Sequence, residues 1–236
     1  MRCRRVVGVN RGVGVGRRFW KLALIPVVAV LGVTMVACDV EGVPSAQPEA
    51  VASVSSSAAT EPIRQTDDAG KRLPFDTEFP DRWSRNNDGT TYEPCTAVDY
   101  AQVRAFGLDP ATVEDVAASN HQTARGCQWD LLEGDEILRP SLSQFVGNLT
   151  GMGVDNLKDY KQLQSTEYNE WLDDVVISGR TVVVSVERGS CDAFVQSGSA
   201  VVVTTMRDLL RDGPGVNLLC EKALGFVRLT IDKMPP

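Results

Sequence analysis

Past residue 38, the side chains best suited to chemistry are four cysteines, one histidine and a few adjacent acids. An even number of cysteines in an exported domain reads as two disulfides. Three pairings of Cys95, Cys127, Cys191 and Cys220 are open. Cys95–Cys127 and Cys191–Cys220 are favoured, because each pair brackets a compact stretch of helix and strand. Each would close a loop of about 30 residues, contributing roughly 3–4 kcal/mol in the chain-entropy account. Zinc is disfavoured because close ligand pairs such as Cys-x-x-Cys are absent. His121 lies in a polar stretch between Ser119-Asn120 and Gln122. Ser-His-Asp catalysis needs a histidine held between nucleophile and acid, and no Gly-x-Ser-x-Gly elbow is present. The pairs Glu114-Asp115, Asp135-Glu136 and Asp173-Asp174 invite comparison with glycosidase carboxylates. Adjacent acids on a strand face opposite sides, however, so these pairs read as solvated surface. Asn86-Asn87-Asp88-Gly89 reads as a turn without the ligand pattern of a calcium loop. No catalytic residue, metal or cofactor is expected. Trp129 follows Cys127 by two, which places both on one strand face and in the core. Trp83 and Trp171 sit among polar residues and are candidate contacts for a ligand or partner.

Cys38 belongs to a different chemistry. Up to Lys21 the chain carries seven basic residues and no acid, and Leu22 to Ala37 is uncharged and mostly apolar. This is a positive region followed by an apolar one, as in an export signal. The uncharged run is 16 residues. As a helix it would cover roughly 24 Å, short of a bilayer core of about 30 Å. Met35-Val36-Ala37-Cys38 resembles the bacterial lipobox, with Met35 where leucine is usual. The resemblance implies lipid on the Cys38 thiol, cleavage before Cys38 and acylation of the new amine, with palmitate-type chains as the anchor. More than one acyl chain is needed for stable anchoring. Arg17-Arg18 suggests a twin-arginine signal, but ordinary basic charge explains it as well. The expected address is the outer face of the cell membrane.

Removing 1–37 takes 7 of 24 basic residues and none of the 31 acidic ones, so the mature net charge is 17 − 31 = −14. Such a chain is a poor match for nucleic acid, which needs clustered Lys and Arg. It is also repelled by anionic headgroups, which favours a domain held off the membrane. Residues 38–72 are rich in Ala, Ser, Val and Pro and are read as a disordered tether. A flexible coil of that length spans roughly 30 Å.

Residues 73–236 suit one domain. An extended lead-in to Tyr92 carries Phe75, Phe79 and Trp83. A helix is expected over 97–106, from a capping-box pattern at Thr96 and Asp99 to a stop at Gly107. Strands are expected near 127–131, 138–146, 170–177, 181–187, 192–196 and 200–206. A short helix is expected over 155–163, with Leu157 and Tyr160 inward, and a last helix over 216–233. This order suits an α+β fold: an antiparallel sheet with helices packed on one side, stapled by two disulfides.

Glu93-Pro94-Cys95-Thr96, Phe106-Gly107-Leu108 and Gly126-Cys127-Gln128-Trp129 resemble the start of an actinobacterial lipoprotein family known as domain of unknown function 3558. Ile177-Ser178-Gly179, the cysteine-led strand at Cys191 and the Cys220-x-x-Ala223 helix fit its second half. Glu93 and Phe106 replace the family's usual Asp and Leu. The resemblance implies an envelope location and the disulfide pairing favoured above, and it supplies no catalytic residue. The expected function is a non-enzymatic binding or accessory protein of the cell envelope, whose partner is an envelope protein or a small apolar ligand. The alternatives are a wall-directed hydrolase using paired carboxylates and a structural subunit of an envelope complex.

Overall fold

The structure, a computed structural model, describes residues 62–236 apart from 118, 122–123, 134–138 and 209–214. Cys38, the signal segment, most of the tether and the Asp135-Glu136 pair lie outside the described residues.

Eight strands form one antiparallel sheet: β1 (Glu114–Asp115), β2 (Arg125–Asp130), β3 (Ser141–Asn148), β4 (Glu170–Trp171), β5 (Val175–Ile177), β6 (Arg180–Glu187), β7 (Ser190–Ser197) and β8 (Ala200–Arg207). Their order is β1-β2-β3-β8-β7-β6-β4, and β5 shares the β6 edge with β4. The expected strand over 170–177 is therefore two short pieces, with Leu172 donating to the Val184 carbonyl between them. Two hairpins join β6, β7 and β8, and a third links β5 to β6 through Ser178-Gly179. Both residues of that turn have positive φ, 48° and 74°, which matches the twist of flanking strands.

Alternation along the strands separates two faces. Cys127, Trp129, Leu142, Val146, Val182, Val184, Ala193, Val195, Val202 and Met206 point to one side and build the main core. Against it lies α4 (Val216–Thr230), continued by a 3-10 turn over Ile231–Lys233. Its buried positions Leu219, Cys220, Ala223, Phe226, Val227 and Ile231 recur at helical spacing. Phe226 meets Trp129 at 5.6 Å and Phe106 at 5.2 Å between ring centroids.

Two disulfides staple this side, Cys95–Cys127 and Cys191–Cys220, with Cα separations of 5.3 and 5.1 Å. These are the favoured pairings. The first joins α1 (Pro94–Ala97) to β2, and the second joins β7 to α4.

The fold class is the expected α+β. The short α3 (Leu157–Leu163) departs from the one-sided arrangement. Its Tyr160 packs on Phe194, 5.4 Å between centroids, on the face opposite α4. With Leu149, Leu157, Val183, Val201 and Val203 it forms a second, smaller core. Sequence periodicity predicts the inward residues of a helix but not which face of a sheet receives them.

The helix expected over 97–106 is broken at Val98, whose backbone is extended. Asp99 caps α2 (Tyr100–Ala105) by accepting from the Gln102 amide, and Gln102 returns the bond. The capping box thus starts three residues later than Thr96, because Asp99 is itself the cap. Residues 62–72, expected at the end of the tether, make ordered contacts. Thr66 bridges Arg72, the Gln65 side chain pairs with the Thr77 backbone, and Thr96 donates to Asp67 at 2.6 Å. The folded part thus extends N-terminal of residue 73. Among the described residues no helix is long and apolar enough to cross a membrane.

Candidate functional site

The face of the sheet turned away from α4 is only partly covered by α3. Strand register turns its side chains into rows. One row crosses six strands: Gln128 on β2, Ser143 on β3, Thr205 on β8, Asp192 on β7, Ser185 on β6 and Trp171 on β4. Two residues along, the row is apolar: Phe145, Val203, Phe194 and Val183. Two residues the other way lie Ser141, Arg207, Ser190 and Glu187.

A cavity of about 360 Å³ opens over these rows. That is within the roughly 300–1,000 Å³ of small-molecule sites. Tyr160 of α3 and Gln164 just after it, then Thr166, Asn169 and Trp171, form its wall. The wall is knitted by its own hydrogen bonds. Asn169 Oδ1 accepts from the Thr166 amide at 2.8 Å, and its Nδ2 donates to the Gln164 carbonyl at 3.2 Å. Trp171 Nε1 donates to Ser165 Oγ at 2.9 Å. Lys161 pairs with Asp174 at 3.1 Å and lies 5.5 Å from the Trp171 ring centroid. A second, more apolar cavity of about 250 Å³ shares Phe145, Tyr160 and Val203 with the first and continues past Gly147 and Met152.

Asp192 is the charged centre of the floor. Burial pushes its carboxyl above the usual range, against the opposing influence of the Thr205 hydrogen bond and Arg207. Thr205 Oγ1 donates to it at 2.5 Å, and Glu187 adds like charge. Tyr160 is pushed up to about 12 by burial and by the Asp192 charge, so its phenol stays neutral and can donate. Ser185, 3 % exposed, lies directly opposite Asp192. Its hydroxyl bonds to no described residue and lines the cavity.

Of the two tryptophans expected as contacts, Trp171 lines this cavity. Trp83 is half-buried elsewhere, with the Arg64 and Arg82 guanidinium carbons 4.6 and 4.7 Å from its ring centroid. Trp129 is in the core, as expected. His121 is exposed, its amide donating to Ser119 Oγ. Asp173 and Asp174 are exposed and fall between β4 and β5.

Asp115 is not the solvated residue expected, because it turns inward to Arg82, 3.0 Å away. Arg82, fully buried, also holds both oxygens of Glu93, at 2.8 and 2.9 Å. Arg125 reaches the same carboxylate at 3.0 Å and the carbonyls of Asn87, Thr90 and Tyr92. Burial works to raise the Glu93 carboxyl, but the two guanidiniums outweigh it and hold it below the ordinary range. This cluster ties the lead-in to β2 beside the Cys95–Cys127 bridge; Arg82 Nη2 is 3.1 Å from Cys95 Sγ. Among the described residues no group of three or more His, Cys, Asp or Glu could hold a metal ion.

The family described as "Protein of unknown function (DUF3558)" matches residues 33–233. The chain belongs to that family. No curated protein and no solved structure matches. The geometry accounts for two of the family motifs quoted above. In Glu-Pro-Cys the acid serves the buried cluster and caps α1 by accepting from the Cys95 amide at 3.2 Å. In Gly-Cys-x-Trp a Cβ on Gly126 would stand 2.0 Å from the Gln144 carbonyl oxygen, so only glycine allows β2 and β3 to pair.

Proposed function

We propose that this chain is a non-enzymatic binding protein of the cell envelope, held on the outer face of the membrane by lipid on Cys38, with the trough on the open sheet face as its binding surface. The observation that carries the reading is the two-part cavity, polar over Asp192 and apolar over Phe145 and Val203, under a wall fixed by its own hydrogen bonds. A rigid, pre-formed trough loses little entropy when a ligand enters. The anchor part of the reading rests on Met35-Val36-Ala37-Cys38 at the end of the apolar run.

A fragment screen followed by backbone NMR on the mature chain tests the surface. Hits should shift resonances of α3, β7 and β8 around the trough. Hits confined to the outer side of α4 would refute it. Cys38→Ala should release the protein from the membrane fraction, and globomycin should leave a longer precursor; unchanged retention and size would refute the anchor.

One observation favours a hydrolase as a second reading. Glu187 and Asp192 line the same cavity as diagonal cross-strand neighbours, which sit about 7–8 Å apart. That is a backbone separation, from which the two side chains can reach the carboxyl spacing of about 6.5–9.5 Å used by inverting glycosidases. Release of reducing ends from wall polysaccharide, abolished by both Asp192→Asn and Glu187→Gln, would establish this reading in place of the first.

A further inference from the structure

We infer that the larger cavity takes a neutral, hydroxyl-rich ligand with one apolar face, namely a saccharide unit. The inference rests on the trough being the binding surface.

The first observation is the unpartnered Ser185 hydroxyl. It belongs to a residue 3 % exposed, yet it bonds to no described residue and is turned to the cavity. The hydroxyl opens to the cavity, so a ligand that displaces water there must supply a hydrogen-bond partner in its place. Asp192 beside it is an acceptor with a single donor, Thr205. Gln128 and Ser143 continue the same row with side chains bonded to no described residue. The floor therefore offers an acceptor at Asp192 flanked by groups that both donate and accept. Ligand hydroxyls, which also do both, complement that mixture.

The second observation is the placement of apolar surface. Phe145 and Phe194 lie one row away, and Trp171 and Tyr160 stand beside them. A pyranose or furanose ring has hydroxyls around its edge and C–H groups on a face, so one orientation satisfies both rows. A purely apolar ligand would strip water from Ser185 and Asp192 without replacing it. The rim does not select a fixed charge, because Glu187 and Arg207 share one row with opposite signs.

The test titrates the full mature chain with glucose, mannose, galactose, arabinose, N-acetylglucosamine and short oligomers of each, observed by NMR. Spermidine and a lysophospholipid are titrated in parallel. At least one saccharide should perturb the trough. Ser185→Ala should weaken it about 3- to 10-fold, the loss of one hydrogen bond, with an unchanged melting temperature. Trp171→Phe, which keeps an aromatic ring, should bind more tightly than Trp171→Ala. Saccharide affinity unaffected by Ser185→Ala overturns the inference. If spermidine or the lysophospholipid alone occupies the trough, the saccharide assignment falls and the binding surface stands. If none of the probes perturbs the trough, the saccharide assignment falls, and the fragment screen decides the surface separately.

Discussion

Glu93→Gln nearly preserves the shape of a buried side chain and removes its charge. In the folded protein Glu93 is 4 % exposed and holds Arg82 through two bonds and Arg125 through a third. With glutamine, an amide nitrogen faces guanidinium N–H groups, so donors meet donors at one end. Asp115 then remains as the carboxylate bonded to Arg82 and is not bonded to Arg125. Breaking a buried ion pair from one side costs about 3–5 kcal/mol, because the other charge stays buried. Each kcal/mol moves the melting temperature of a domain this size by about 2–4 °C, so the expected fall is roughly 6–20 °C. The carboxyl is held low in the folded state. Its contribution is therefore full above the unfolded carboxyl value, about 4.3, and is lost as pH falls through the folded value. Urea unfolding followed by circular dichroism from pH 7 to pH 3 reads both effects. Glu93→Asp keeps the charge and should lose less than Glu93→Gln. A loss below about 1 kcal/mol at pH 7, or a gap between the two proteins that stays constant into acid, would refute the reasoning.

Three further predictions follow from single observations. Burial raises the Asp192 carboxyl, so its ionised form weakens the fold above the unfolded value. Asp192→Asn should therefore melt higher than the parent at pH 7, and the difference should vanish below about pH 4, where the parent's carboxyl is protonated in both states; a lower melting temperature at pH 7 contradicts this. Gly126→Ala should cost about 3 kcal/mol or more, since its Cβ would meet backbone at 2.0 and 2.6 Å; a parental urea midpoint would show that β2 and β3 can separate without cost. The double change Cys191→Ser with Cys220→Ser should cost about 2–4 kcal/mol by opening a loop between residues 29 apart, and a difference under 1 kcal/mol in urea would refute that staple.

The parts of the fold legible in the sequence were those governed by local period and spacing. Alternation marked β6, β7 and β8, helical spacing marked α3 and α4, and the cysteine spacing favoured the pairing found. The open face was partly visible as well, because Ser143, Ser185, Asp192 and Thr205 each sit at an outward position of an apolar strand. Their union into one row depends on register across three strand pairings, and no local pattern encodes that. The same holds for Arg82, Glu93 and Arg125: a charged residue 44 positions from its neighbour's backbone reads as surface until tertiary structure buries it. Of the two tryptophans singled out for their polar neighbours, Trp171 lines the trough, while Trp83 lies against the arginines around it.

Site-specific photocrosslinking in intact cells tests the central claim, that the trough is the working surface. A crosslinking residue replacing Gln164, on the exposed rim of the trough, should give an adduct. One replacing Glu221, exposed on α4 across the sheet, should give none. Adducts from position 221 with none from position 164 would contradict the account.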